Sequence, residues 1–281
     1  MTTVLDVQRF KDEGRRFAML TAYDFLGARI LDEAGIPILL VGDSLGMVML
    51  GHPTTLPVTM DDMLVHAKAV SRGARQALLV GDMPFMSYQV STKQAIANAG
   101  RFVQEAGMHA VKLEGGVDVA EHVYKIVAAG IPVMGHVGLT PQSVHAMGGF
   151  KVQGKTDVQA ARIMKDARAL EQAGAFSLVL EGMPSKLAAA ITHELRIPTV
   201  GIGAGPATDG QVLVFHDALG LTTGKAPKFV KRYANLAEEI ARAATAYAED
   251  VRTGKFPGPE HEYSTNGATP TRDPTEIRYG G

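Results

Sequence analysis

Four hydrophobic runs in this 281-residue chain each stop on a carboxylate, and a fifth stops on a histidine. ILLVGD ends at Asp43, LLVGD at Asp82, AVKLE at Glu114, LVLE at Glu181 and IPVMGH at His136. Runs so rich in Val, Ile and Leu read as parallel strands buried on both faces. A charge at the carboxyl end of each run would stand where the sheet opens to solvent. In an α/β barrel that end is the rim where the βα loops converge and carry the chemistry. The pattern therefore points to parallel strands with several ionisable groups gathered on one rim.

Strand and helix signals alternate along the chain. Strand candidates are 17–23, 37–41, 77–80, 110–113, 131–135, 176–180, 197–202 and 212–215. Residues 95–106 set Ala95, Ile96, Ala99, Phe102, Val103 and Ala106 on one helical face, with Gly107 as the stop. Residues 157–173 repeat this, with Thr156 or Asp157 as cap and Gly174 as stop. Segments 183–195 and 227–251 read as the sixth and last helices. An alanine-rich helix end, AG, then Ile-Pro and a strand recur in AGIPILL and AGIPVMG, with LRIPTVG related. Repeated right-handed βαβ units close into one (β/α)8 barrel, expected over residues 1–263.

The eighth unit is irregular. Too few residues separate Gly203 from Val212 for a crossover helix between parallel strands. Either that helix is absent, or 209–219 is itself helical with Asp209 as its cap and the last strand is shorter and later. After Lys255 the composition turns to Pro, Gly, Thr and Glu, and 264–281 is expected to be disordered.

Composition excludes several classes. The formal charge of -1 gives no field to draw nucleic acid or an anionic membrane. No cysteine is present, which removes disulfides and thiolate chemistry and suits a reducing cytoplasm. The N-terminus, MTTVLDVQRFKDEG, has no apolar signal core, and no apolar run is long enough for a bilayer. A cytoplasmic protein without nucleic-acid or membrane partners is expected. No GxGxxG follows a strand, and neither a Walker lysine nor GxSxG occurs; GIGAG at 201–205 is explained as well by tight packing.

Taken singly, the strand-end residues have dull explanations. Asp43 and Asp82 read as turn residues, and His136 as a satisfied core histidine. Glu114 is stronger, because Lys112 lies two residues earlier and shares its face at strand period. If that face is the interior, a lysine and a glutamate are buried together, which is costly unless they serve a ligand. Glu181 closes an apolar run and is hard to explain as a surface charge. Five such coincidences on one rim favour a site. Carboxylates without thiols suit Mg²⁺ or a similar hard cation. Such a metal would take a 2-oxo acid through its carboxylate and keto oxygens and stabilise an enolate, while a free carboxylate removes the α-proton. Two long loops, 44–60 and 137–155, lie on the same rim. The second contains GGFKVQGK, whose glycines and lysines suit a lid over an anionic ligand.

These residues, with TAYD, LVGDSLGMV, GHPTTLPVT, DMPFMSY, VKLEGG, GHVGLTPQSV, GGFKVQG and GIGAGPATDGQVLVFHD, resemble the ketopantoate hydroxymethyltransferase family. The likeness runs from the first helix to PGPEHEY near residue 263. It implies a barrel of the phosphoenolpyruvate mutase/isocitrate lyase type. It implies transfer of a hydroxymethyl group from 5,10-methylenetetrahydrofolate to 3-methyl-2-oxobutanoate, giving ketopantoate for pantothenate synthesis. By this resemblance Asp43 and Asp82 are direct Mg²⁺ ligands, and Glu114 is a further one, directly or through water. Ser44 holds the substrate carboxylate, Lys112 and His136 contact substrate or developing charge, and Glu181 accepts the proton. A cytoplasmic homo-oligomer, a ring of five dimers, is implied as well. Two alternatives stand beside this. One is a C–C lyase of the isocitrate lyase type, although those enzymes resemble one another in a catalytic cysteine this chain lacks. The other is a barrel that only binds a 2-oxo acid, which would have no need of Glu181.

Overall fold

The apolar runs pair in parallel and close a barrel in chain order, β1 through β8. They are β1 (Phe17–Thr21), β2 (Ile38–Val41), β3 (Leu78–Asp82), β4 (Ala110–Glu114), β5 (Val133–Gly138), β6 (Ser177–Glu181), β7 (Thr199–Ile202) and β8 (Gly210–Leu213). This computed structural model describes residues 1–224 and 226–263, so the tail expected to be disordered lies outside the described residues. The chain divides into two compact units, one covering Met1–Ala234 and the other starting at Asn235. The whole barrel lies in the first.

Its helices are α1 (Val4–Asp12), α2 (Phe25–Glu33), α3 (Leu45–Val48), α4 (Met60–Gly73), α5 (Thr92–Ala106), α6 (Ala120–Ala128), α7 (Asp157–Gln172), α8 (Ser185–Glu194) and α9 (Phe215–Ala218). α5 ends on Gly107 as expected, and α7 takes Thr156 rather than Asp157 as its cap, the threonine side chain accepting from Gln159 N–H. The second unit holds α10 (Leu236–Thr253). The helix expected from 227 therefore starts later. Residues before it are tied into turns instead, Val230 N–H to Pro227 O at 3.0 Å and Tyr233 N–H to Ala218 O at 2.7 Å.

Side-chain alternation sorts each strand into two faces. Met19, Ile38, Leu40, Leu78, Val80, Ala110, Met134, Val179, Val200 and Val212 fill the barrel interior. Leu39, Val41, Leu79, Val111, Leu113, Val133, Leu178 and Leu180 pack outward with the helices. Val7 and Phe10 of α1 join the interior cluster, so this helix plugs the N-terminal end. A capping box between Thr3 and Asp6 starts it. With one end plugged, the barrel opens only at the carboxyl ends of its strands.

The irregular eighth unit resolves in favour of a missing helix. β8 follows β7 with no helix between them, and it begins two residues before the apolar VLVF run. Asp209 is not a cap. Its Oδ2 accepts from Thr199 N–H at 2.8 Å and from Lys11 Nζ at 2.9 Å, tying β7, the start of β8 and α1 together. Val214 and Phe215 leave the strand because Phe215 N–H is taken by Thr21 Oγ1 at 2.8 Å and begins α9. Asp209→Ala would leave the Thr199 amide without its acceptor and Lys11 without its carboxylate. A loss of about 1–3 kcal/mol is expected, read as a lower urea midpoint with an unchanged slope.

Candidate active site

Strand register decides which charged groups meet. Asp82 on β3 pairs with Lys112 on β4, and Glu114 pairs with His136 on β5. All four point inward: Asp82, Lys112 and His136 stand two positions beyond apolar interior residues of the same strands, and Glu114 two beyond Lys112. Lys112 Nζ donates to both oxygens of Asp82, at 2.8 and 3.0 Å, and stands 4.0 Å from Glu114 Oε1. His136 Nδ1 lies 3.4 Å from Glu114 Oε1, and its Nε2 lies 3.3 Å from Glu181 Oε2. Neither contact is an aligned hydrogen bond, and both buried ring nitrogens lack one among the described residues. Glu181 ends β6. Gly138 lets the end of β5 come this close: at φ 98°, a Cβ there would sit 2.3 Å from Glu181 O.

Asp43 and Ser44 follow β2 as the chain turns into α3. Asp43 N–H donates to Asp82 Oδ2 at 3.3 Å, and Ser44 Oγ shares a 2.9 Å hydrogen bond with Tyr23 OH. Both aspartates were expected where the sheet opens to solvent. They are instead only 4% and 2% exposed, and Glu114, Lys112 and His136 are equally buried. Covering them is a residue the sequence reading missed. Gln142, in the turn after β5, donates from Nε2 to Asp43 Oδ2 at 3.0 Å and from its backbone to Glu114 Oε2 at 3.0 Å. Tyr88, also missed, has its hydroxyl 2.8 Å from Gln142 Oε1 and accepts from Glu114 N–H at 3.1 Å. Both lie inside quoted motifs, GHVGLTPQSV and DMPFMSY, but no periodicity marks them as site residues. Lys112 does not pair with Glu181, whose cationic neighbour is His136.

Crowding of like charges sets the electrostatics. Burial, then the charges of Asp82 and Glu114, push the Asp43 carboxyl well above its ordinary range. Burial also raises Asp82, against the pull of Lys112. Burial would raise Glu114 too, but His136, Lys112 and the Gln142 amide hold it below its usual value. Burial and the Lys112 charge oppose a proton on His136, yet Glu114 and Glu181 lift it to about 9. Burial would pull Lys112 down, but Asp82, Glu114 and Asp43 hold it above the ordinary lysine value. Asp43, Asp82, Glu114 and Glu181 are four carboxylates around two cationic groups, Lys112 and His136, and that surplus of negative charge favours a further cation at this spot.

All seven sequence candidates, Asp43, Ser44, Asp82, Lys112, Glu114, His136 and Glu181, line one cavity of about 970 Å³. The polar wall comes from β2 to β6, while Thr21, Ile202, Val212 and Val214 make the opposite wall largely apolar. Phe150, Lys151 and Val152 from the GGFKVQG segment also face it, as does Lys228. That segment is pinned at one end by Gln153 N–H on Gly182 O at 2.8 Å. Next to the pin, Gly154 holds φ 75° where a Cβ would meet Leu187 at 2.5 Å. For a metal, no three His, Asp or Glu side chains among the described residues converge as ligands. The carboxylates that could hold one are Asp43 and Asp82, while Glu114 Oε2 accepts from Gln142 N–H and its Oε1 lies 3.4 Å from His136 Nδ1.

The closed parallel barrel is also the fold of solved enzymes that include a member of the phosphoenolpyruvate mutase/isocitrate lyase superfamily. Phosphonopyruvate hydrolase, in a crystal structure with oxalate and Mg²⁺, superposes with TM-score 0.60 at 16% identity, over 90% of this chain and 88% of that one. 2,3-Dimethylmalate lyase, a member of that superfamily, superposes with TM-score 0.59 at 19% identity, over 94% of this chain and 92% of that one. At the sequence level the model of the ketopantoate hydroxymethyltransferase family matches residues 1–259. The chain is 58% identical over 257 residues to 3-methyl-2-oxobutanoate hydroxymethyltransferase of Syntrophus aciditrophicus (strain SB), covering 92% of this chain and 94% of that one. It is 58% identical over 262 residues to the enzyme of the same name from Syntrophotalea carbinolica, covering 93% and 98%. The chain belongs to the ketopantoate hydroxymethyltransferase family.

Proposed function

We propose that the chain transfers a hydroxymethyl group from 5,10-methylenetetrahydrofolate to 3-methyl-2-oxobutanoate, giving ketopantoate for pantothenate biosynthesis, with Mg²⁺ held by Asp43 and Asp82. Family membership carries the reaction. The observation that supports the metal is the gathering of Asp43, Asp82, Glu114 and Glu181 around only two cationic groups, Lys112 and His136. An all-oxygen set with two direct carboxylates suits a small hard cation that keeps several waters. When bound, Mg²⁺ would supply Lewis acidity to the oxygens of the 2-oxo acid.

The chain's own groups then divide the work. Lys112 keeps Asp82 in place and charged. Ser44, braced by Tyr23, receives the substrate carboxylate. Glu181 takes the proton from C3 of the substrate. Its carboxylate lines the cavity, is 15% exposed there, and accepts no hydrogen bond among the described residues. His136 Nε2 stands 3.3 Å from its Oε2 and balances the charge that moves through the site. The resulting carbon nucleophile bonds to the methylene carbon carried by the folate. Both C–N bonds to that carbon break, one water supplies the hydroxyl oxygen of ketopantoate, and the protons from Glu181 and that water go to the two folate nitrogens. The 148–154 segment keeps bulk water from the nucleophile. Lys151 and Lys228 offer positive charge at the mouth for the folate's anionic tail. The ring of five dimers and the cytoplasmic setting belong to the same proposal; among the described residues no helix is long and apolar enough to cross a membrane.

The test is purified protein with Mg²⁺, methylenetetrahydrofolate and 3-methyl-2-oxobutanoate, with the product identified by mass. Ketopantoate is expected, and amide exchange of residues 148–154 is expected to slow in the same mixture. Cleavage of the 2-oxo acid instead would favour the lyase reading. Unchanged exchange would make the segment an ordinary surface loop.

A further inference from the structure

Every hydrogen-bonding valence of the Gln142 side chain is used. Nε2 donates to Asp43 Oδ2 at 3.0 Å and to Met83 O at 2.9 Å. Oε1 accepts from Tyr88 OH at 2.8 Å and from Gln89 Nε2 at 3.2 Å. An amide has two N–H donors and two acceptor lone pairs, so none is left over. Its orientation is also forced. Turned over, Oε1 would face a carboxylate and a carbonyl, and the amino group would face the amino group of Gln89. The residue is 5% exposed, too deep for water to repair such a mismatch.

The consequence falls on Asp43. Its Oδ2 is taken by the amide, while Oδ1 accepts no hydrogen bond among the described residues and is left for the cavity. The amide uses one lone pair of Oδ2, so a cation that binds Asp43 through both oxygens competes with Gln142 there, whereas one that binds through Oδ1 alone does not. That distinction separates two kinds of cation. Mg²⁺ demands near-octahedral single-oxygen contacts, whereas Ca²⁺ takes more ligands and readily accepts a carboxylate through both oxygens. We propose that Gln142 is a positioning residue which, by occupying Asp43 Oδ2, sets the site's preference for Mg²⁺ over larger divalent cations. This rests on the metal reading above. Gln142 touches neither substrate nor reacting atoms in this role; it acts through Asp43.

The experiment is calorimetric titration of the full chain with MgCl₂ and separately with CaCl₂, without substrates. Gln142→Met keeps the length and removes the amide. Its Mg²⁺ Kd is expected to rise about tenfold or more, the usual size of such an outer contact, while the Ca²⁺ Kd holds or falls. The Mg²⁺/Ca²⁺ preference would then drop at least about tenfold. A purely structural role would weaken both ions alike, and an unchanged ratio overturns the proposal. Tyr88→Phe removes the hydroxyl that holds Oε1 and that also bonds the Glu114 backbone. It is expected to shift the ratio the same way by a smaller factor, and it decides the question if Gln142→Met does not fold. Wild-type protein that binds neither cation would overturn the metal reading itself, an outcome distinct from an unchanged ratio.

Discussion

Glu181→Gln is expected to abolish the exchange of the C3 proton of 3-methyl-2-oxobutanoate for deuterium, an exchange expected of the unaltered protein with Mg²⁺ and no folate. The amide keeps the shape of the carboxylate and cannot take a proton. A positioned general base contributes about 10²–10⁴-fold, so the exchange rate is expected to fall by that much. Substrate binding is expected to persist, because Asp43, Ser44, Asp82 and Lys112 lie on other strands and make no hydrogen bond to Glu181. Proton NMR in D₂O measures the exchange directly. If the variant exchanges at the original rate, His136 is the next residue to test, since its Nε2 lies 3.3 Å from Glu181 Oε2 and the loss of that carboxylate removes part of what holds its proton. A barrel that only binds the 2-oxo acid would give no exchange even before substitution.

Asp43→Ala is expected to lose about a hundred- to a thousandfold in turnover while remaining folded, and Asp82→Ala is expected to lose fold stability as well. The two aspartates differ in what they leave behind. Asp43 accepts a hydrogen bond from Gln142, a neutral amide. Asp82 carries the Lys112 ammonium at 2.8 Å, with both side chains no more than 5% exposed. Removing one partner of a buried ion pair costs about 3–5 kcal/mol, because the other charge stays buried. Asp43→Ala is thus the cleaner probe of the metal, and a cation worth several kcal/mol to the transition state accounts for the loss in rate. Thermal melts paired with turnover in the presence and absence of EDTA separate the effects. Full turnover in EDTA, or in Asp43→Ala, would remove the metal from the mechanism.

What the sequence made legible follows from how the residues are held. Asp82, Glu114, His136 and Glu181 end apolar runs, and strand alternation carries them inward with no help from tertiary context. Lys112 and Glu114 could be placed on one face from spacing alone, and they are buried on it. Gln142 and Tyr88 could not. They sit in turns after strands, and a glutamine or tyrosine there looks the same whether it points to solvent or into a cluster of carboxylates. The depth of Asp43 and Asp82 was hidden for the same reason, because the cover over them comes from a different part of the chain. β8 was set too late because VLVF outweighs Gly210 and Gln211 in strand propensity, while the register is fixed by β1 and by Asp209.

The barrel has a seam, and time enters there. Phe17 pairs with Gly210, so β1 waits for nearly the whole barrel to be synthesised before its second neighbour exists. During that wait its open edge can pair with other nascent chains, and Val7 and Phe10 have no lumen to enter. Closure between residues so distant in sequence is slow. Lys11 and Asp209 latch this seam, whereas the reacting groups stand on β2 to β6, away from it. Weakening the latch would therefore cut the yield of soluble protein in a cell while each molecule that does close turns over at the normal rate.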